Sequence, residues 1–312
     1  MQFHAYIHLS RELGWLKISK PLCAPMPFTF QKADLSPTCN FSQWALLDEG
    51  RLVRTLAWLY LRKPKHAVQI INQLEPSKAG FPGKVFENAI SLLSIRLEDI
   101  ASDFSSADPE KKKSANNKKN KRIEQRDGLL FQHLSWVAAS IDMPGALATP
   151  PHVRRADKGF DGLLVSIQDG SGAISRVVLC EDKASINPKS LVQGSVWNEI
   201  DGIVKGDKDL ELLDAITAIL REQSGLGGDT QEELLEALIY EQTRAFRVAV
   251  TAMPVNADAV GYQHIFNDFE KHALGAKTVR MAEVLPSDDT RSFLKSLARK
   301  VRREIKRIAN NV

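Results

Sequence analysis

Cysteine is scarce in this 312-residue chain: Cys23, Cys39 and Cys180 are the three present, with no CxxC spacing among them. That excludes a disulfide framework and a cysteine zinc site, and fits a reducing compartment. Long apolar runs are missing too. None approaches the roughly 18 residues of a spanning helix. The first twenty residues, MQFHAYIHLSRELGWLKISK, carry polar and charged side chains throughout and lack the apolar centre of a signal peptide. These absences point to a soluble, cytoplasmic protein without a membrane partner. A nucleotide-binding loop is also absent. FPGKV at 81–85 resembles half of one, but the GxxxxGK[ST] spacing is missing and Val85 follows the lysine.

What is present fits a folded protein. Hydrophobic residues make up 43% and charged residues 26%, close to globular averages, and the length accommodates two cores. The formal charge of +4 says little; its distribution says more. Lys111, Lys112, Lys113, Lys118, Lys119, Lys121 and Arg122 crowd into one stretch, and a second basic cluster closes the chain.

Three regions follow. Residues 1–101 read as a small, mainly helical module. Leu46, Leu47, Leu52, Leu56, Trp58, Leu59 and Leu61 recur at helical spacing. Pro64 ends that helix, and further helices are expected over 66–74 and 85–100. The fold of residues 1–40, interrupted by four prolines, stays unassigned. Residues 102–121 are Ser-, Asn- and Lys-rich and read as a flexible basic linker, too poor in apolar surface to offset its ordering entropy. Residues 122–312 change character. A helix over 122–141 places Ile123, Leu130, Leu134, Val137 and Ile141 on one stripe. A short strand is expected within 145–151, strands over 160–167 and 175–183 about a QDGSGA turn, and helices over 188–203, 210–220 and 232–242. Strand 246–253, helix 262–274, strand 278–285 and a last helix over 289–308 complete an α/β order.

Chemistry concentrates on the hairpin. Side chains alternate along strands. Asp161 therefore shares a face with Leu163, Val165 and Ile167, while Glu181 and Lys183 share one with Val177 and Leu179. Cys180 and Asp182 point the other way. Antiparallel pairing through the turn brings the three charges to the rim of an apolar face. Such a cluster is costly to bury without compensation. Two carboxylates and a backbone carbonyl suit Mg²⁺. That cation supplies the Lewis acidity for phosphodiester hydrolysis, and a lysine orients the nucleophile or offsets charge on the phosphate. The bland alternative is a solvated hairpin end with charges paired across strands.

GFDGLLV at 159–165, followed by VVLCEDK at 177–183, resembles the PD-(D/E)xK phosphodiesterase superfamily, over roughly residues 122–253. The resemblance implies a restriction endonuclease-like mixed sheet flanked by helices, here preceded by the small all-α module. It implies Asp161 and Glu181 as Mg²⁺ ligands, with Mn²⁺ as the alternative metal, and Lys183 as the catalytic lysine. Phe160 stands where the eponymous proline would be. In the family the first core helix often adds an acid; Asp127 lies inside the apolar stripe of the 122–141 helix and Glu124 on its border. Many members use a glutamine on the helix after the lysine strand, a place Gln193 fits. RDGLLFQ at 126–132 is similar to the opening helix of nuclease domains in bacterial antiviral effectors. The implied function is a metal-dependent endonuclease acting on DNA in antiviral defence or restriction, beside a separate ATPase or helicase; a homo-oligomer stays open. The rival is a non-catalytic nucleic-acid-binding or partner-binding protein that keeps the fold.

Three further features complete the reading. The terminal helix places Phe293, Leu297, Val301 and Ile305 on one side and Arg299, Arg302, Arg303 and Lys306 on the other, where they suit phosphate contacts or simply solubilise the surface. The lysine-rich 102–121 stretch is either an electrostatic arm for DNA or a plain solvated linker. His264, Asp268 and His272 recur every four residues, but Tyr262, Phe266, Phe269 and Ala273 define the buried stripe and leave those three on the wet face.

Overall fold

The structure, a computed structural model, describes residues 26–33, 37–153, 160–168, 174–222, 244–254 and 259–311. Its strands are β1 (Phe28–Ala33), β2 (Asn40–Leu46), β3 (Leu147–Ala148), β4 (Gly162–Ile167), β5 (Ile174–Lys183), β6 (Arg244–Ala252) and β7 (Arg280–Pro286). They form one mixed sheet in the order β1-β2-β7-β6-β5-β4-β3. β5, β6, β7 and β2 run parallel to one another, and β3, β4 and β5 form an antiparallel meander. Parallel strands sit covered on both faces and read as near-continuous apolar runs. β6 obeys this, with every residue from 245 to 252 buried.

The helices are α1 (Glu49–Tyr60), α2 (Pro64–Ile71), α3 (Val85–Leu92), α4 (Ala101–Phe104), α5 (Pro109–Asp142), α6 (Pro188–Leu191), α7 (Trp197–Val204), α8 (Asp209–Glu222), α9 (Ala259–Gln263), α10 (Phe269–His272) and α11 (Thr290–Ala309). A π turn, Val192–Val196, joins α6 to α7 without a break. On one face of the sheet, Leu163, Val165, Val177, Leu179, Val248 and Val250 pack with apolar residues of the 188–204 helical run and α8. The other face lies under α5, α1 and α11, whose Leu130, Leu134, Leu52, Leu56, Leu297 and Val301 share one core with Ala249 and Leu285. Among the described residues no helix is long and apolar enough to cross a membrane.

Three sequence expectations are corrected. The first region is not all helical: residues 28–33 and 40–46 are strands, and β2 extends the main sheet by pairing with β7. The leucine spacing that suggested a helix from Leu46 starts only after Asp48, whose carboxylate caps α1 by accepting from Arg51 N at 2.8 Å. The partner that makes 40–46 a strand lies some 240 positions away, beyond any local pattern. Pro64 likewise occupies the first turn of α2, where its missing N–H costs nothing.

The presumed flexible linker is also ordered. Asp108 caps and Pro109 opens a 34-residue helix that runs through the lysine-rich stretch. Its low apolar content concealed a supported side. Ala115 is buried, the Lys119 ammonium lies over the Phe104 ring at 6.0 Å, and Arg122 makes paired bonds of 2.7 and 2.6 Å to Asp99. Finally, the helix expected over 262–274 is broken. Asp268 adopts φ 70 between α9 and α10, a left-handed conformation that aspartate tolerates better than most residues. The apolar stripe survives the break, since Tyr262, Phe266, Phe269 and Ala273 are all buried. The QDGSGA turn beyond Gln168 and the expected 232–242 helix lie outside the described residues.

Candidate active site

The end of β5 and the start of β4 meet at one edge of the sheet. Gly162 pairs with Cys180, and a Cβ on Gly162 would lie only 3.3 Å from the Cys180 Cβ. The missing side chain therefore lets the two strands close up where Asp161 must reach β5. Asp161 Oδ2 accepts the backbone N–H of Asp182 at 2.9 Å. Alternation then places Glu181 and Lys183 beside it, on the face that carries Val177 and Leu179.

Lys183 is the hub. Its ammonium stands 3.1 Å from Glu181 Oε2, 3.5 Å from Asp161 Oδ2 and 3.4 Å from Glu199 Oε2. Glu199 arrives from α7 and is held by Ser195 Oγ, which donates to Oε1 at 3.0 Å. From the other side, Gln132 of α5 donates to Asp161 Oδ1. Glu181 is only 3% exposed. Neither of its carboxylate oxygens accepts a hydrogen bond, so Lys183 provides its charge compensation.

The electrostatics follow from this crowding. Burial, then the nearby Asp161 charge, push the Glu181 carboxyl well above its ordinary range, against the pull of Lys183. Burial also raises Glu199, but the neighbouring Glu181 carboxyl and the Lys183 charge outweigh that, leaving it below the ordinary range. Burial opposes the charge on Lys183, yet the three carboxylates more than compensate and keep it protonated.

Behind the sheet, Asp182 anchors the strand between Glu181 and Lys183. Ser135 Oγ donates to its Oδ1 at 2.5 Å, and Arg247 lies 3.6 Å away. Arg247 also donates to Glu283 at 2.6 Å, which accepts from Trp44 Nε1 at 2.7 Å. Burial lifts the Asp182 carboxyl to about 7, opposed chiefly by Arg247.

The other sequence candidates lie elsewhere. Asp127 is fully buried, but its partners are Arg126 at 2.8 Å and Arg291 at 2.8 Å. Glu124 is exposed, 3.6 Å from Arg291. Gln193 sits exposed in the π turn and donates to the His264 carbonyl at 3.4 Å. Arg299, Arg303 and Lys306 are exposed along α11, and Arg302 is half-buried. What α5 contributes to the cluster is Gln132, and what the helix after β5 contributes is Glu199. Both had a signal in the sequence. Glu199 falls on the buried stripe of Val192, Val196, Ile200 and Ile203, and an acid on an apolar stripe is the same cue that singled out Asp127. Gln132 interrupts the apolar run from Leu129 to Leu134.

The donor set suits a hard divalent cation: carboxylate oxygens from Asp161, Glu181 and Glu199, with a buried, unbonded pair on Glu181. Among the described residues, no three acidic, histidine or cysteine side chains are already arranged to hold a metal ion. Mg²⁺ requires fewer, because it keeps waters in its shell. No protein-family model matches the chain, and no curated protein matches it.

Proposed function

We propose that the chain is a PD-(D/E)xK-type endonuclease that hydrolyses phosphodiester bonds in DNA with Mg²⁺, or with Mn²⁺ in its place. One observation carries the reading: Asp161, Glu181 and Lys183 converge at one sheet edge, around a buried carboxylate that accepts no hydrogen bond. The order helix, antiparallel β3-β4-β5, helix, then β6 parallel to β5 supports a restriction endonuclease-like core. DNA is favoured by the family resemblance and by the basic faces of α5 and α11.

Asp161, Glu181 and the Asp182 carbonyl would hold the metal, with Glu199 as a fourth oxygen source. Bound there, the cation supplies Lewis acidity toward a phosphoryl oxygen. Lys183, kept protonated, acts as a charged donor to the phosphate and not as the base. Gln132 and the Asp182 N–H fix the rotamer of Asp161. Glu199, ionised at neutral pH, accepts hydrogen bonds from an incoming water and from Lys183.

A cleavage assay on linear, circular and single-stranded DNA and on RNA, with and without Mg²⁺, tests this. Glu181→Ala and Lys183→Ala are expected to abolish metal-dependent cleavage with little change in melting temperature, and Glu199→Gln to slow it by roughly 10²-fold, the scale of one positioned polar group. Equal cleavage by pure wild-type and Glu181→Ala protein would overturn the proposal.

A further inference from the structure

The long helix α5 does more than cover the sheet. Gln132 meets Asp161 and Ser135 meets Asp182, both at the C-terminal end of β5. Further along, Ala139 and Met143 join the cluster of Leu164, Val178 and Ala245, toward the start of β5. The helix therefore runs antiparallel to β5. The stretch before Arg126, where the continuous buried face of the helix begins, overshoots the sheet edge that carries Asp161, Glu181 and Lys183. At 1.5 Å per residue, Lys121 lies about 16 Å and Lys113 about 28 Å beyond Gln132 along the helix axis.

That overshoot is supported and one-sided. Arg122 is clamped to Asp99 and to the Arg96 carbonyl, Lys119 covers Phe104 and Ala115 is buried. The remaining face carries Lys113, Ser114, Asn117, Lys118 and Lys121 in a row, with Lys111 and Lys112 exposed at its tip. Glu110 is the one acid on that row. Lys118 and Lys121, three apart, repel each other in a helix. A solvated spacer has no use for that cost, whereas a polyanion removes it.

We propose that the first half of α5 is a stiff basic arm that binds the phosphate backbone of duplex DNA. It would do so about five to eight base pairs from the phosphate presented to Lys183, at 3.4 Å per base pair. The inference rests on the nuclease reading for the position of the cut, but not for the binding itself.

The test uses the full chain with linear duplexes of about 8 and about 24 base pairs, the shorter able to meet at most the near end of the arm, and only when cut close to one terminus. Initial cleavage rates are measured in Mg²⁺, and anisotropy titrations on the longer duplex are run in EDTA over a salt series. The wild type is expected to cut the longer duplex at least about 10-fold faster. The triple variant Lys113→Gln, Lys118→Gln, Lys121→Gln should lose that advantage while its salt slope falls by about two to three, near one per phosphate contact. Asn117→Pro keeps every lysine but breaks the helix, and should lose the length advantage as well.

A triple variant that still cuts, with an unchanged length preference and salt slope, overturns the arm and leaves the nuclease reading standing. An equal loss with single-stranded oligonucleotides of the same lengths overturns the stiff reach. If the wild type cuts nothing, yet the triple variant binds duplex more weakly with a shallower slope, the nuclease reading fails and the arm stands.

Discussion

His133 shows how much one side chain can tie to pH. It is fully buried on α5, its Nδ1 lies 2.8 Å from the Leu129 carbonyl, and its ring stacks on Tyr60 at 4.0 Å and 7°. Burial pushes its pKa from 6.5 down to about 3. The folded value lies below the unfolded one. Between those values the unfolded chain takes up a proton that the folded chain refuses, so stability falls as pH drops from 6.5 toward 3. The loss from this group is on the order of 5 kcal/mol. His133→Phe, which keeps the stack, should flatten the acid limb of a plot of urea midpoint against pH below 6.5. Parallel acid limbs for the two proteins would refute this. The same scale shows what the sequence disclosed of the site. Two-residue alternation is a rigid rule, so Asp161, Glu181 and Lys183 could be placed on a common face from the strands alone. Gln132 and Glu199 could not be ranked that way, because a helical residue's direction depends on which stripe packs against what, and Asp127 met the same cue for a different reason.

At the scale of elements, the sheet is cross-braced through its back. Arg247 on β6 is 1% exposed. It joins Asp182 on β5 to Glu283 on β7, while Trp44 on β2 donates to Glu283 and lies 5.4 Å from the guanidinium. Four strands are tied through one cation. Removing it strands two buried carboxylates, and breaking a buried pair from one side costs about 3–5 kcal/mol. Arg247→Met should destabilise by that amount in urea unfolding. Adding Asp182→Asn and Glu283→Gln, which removes the orphaned charges, should recover a good part. If the triple variant is no more stable than Arg247→Met, the bracing is not electrostatic. None of this was legible beforehand, since the four residues span some 240 positions and an isolated arginine in a strand looks like a surface residue.

For the whole molecule, the decisive fact is that the first and last parts of the chain share one core. Leu52 and Leu56 of α1, Leu130 and Leu134 of α5, and Leu294, Leu297 and Val301 of α11 belong to a single apolar cluster. β1 and β2 also complete the sheet on its β7 side. Composition suggested a boundary at 102–121 because that stretch is poor in apolar residues, yet poverty of apolar residues marks exposure and not looseness. The α/β order from residue 122 onward was readable because its periods are local. The expected consequence is one cooperative unfolding transition in calorimetry, and a fragment of residues 122–312 that does not fold alone. Two resolved transitions, or a folded fragment, would contradict it.

The π turn at 192–196 has a consequence best seen as an insertion. Relative to an α-helix it accommodates one extra residue, and a single residue turns everything after it by about 100°. Glu199 lies after that point; β5 lies before it. A one-codon deletion there would close the turn to ordinary α-helix and keep Glu199 facing Lys183, whereas a one-codon insertion, which the turn has no further slack to absorb, would rotate Glu199 out of the cluster while leaving Asp161, Glu181 and Lys183 untouched. The number of acids around Lys183 is set by a mutation that neither creates nor destroys an acid. Indel variation within this short helix is a route by which a lineage could re-tune the chemistry of such a site without altering any of the residues that a motif search would see.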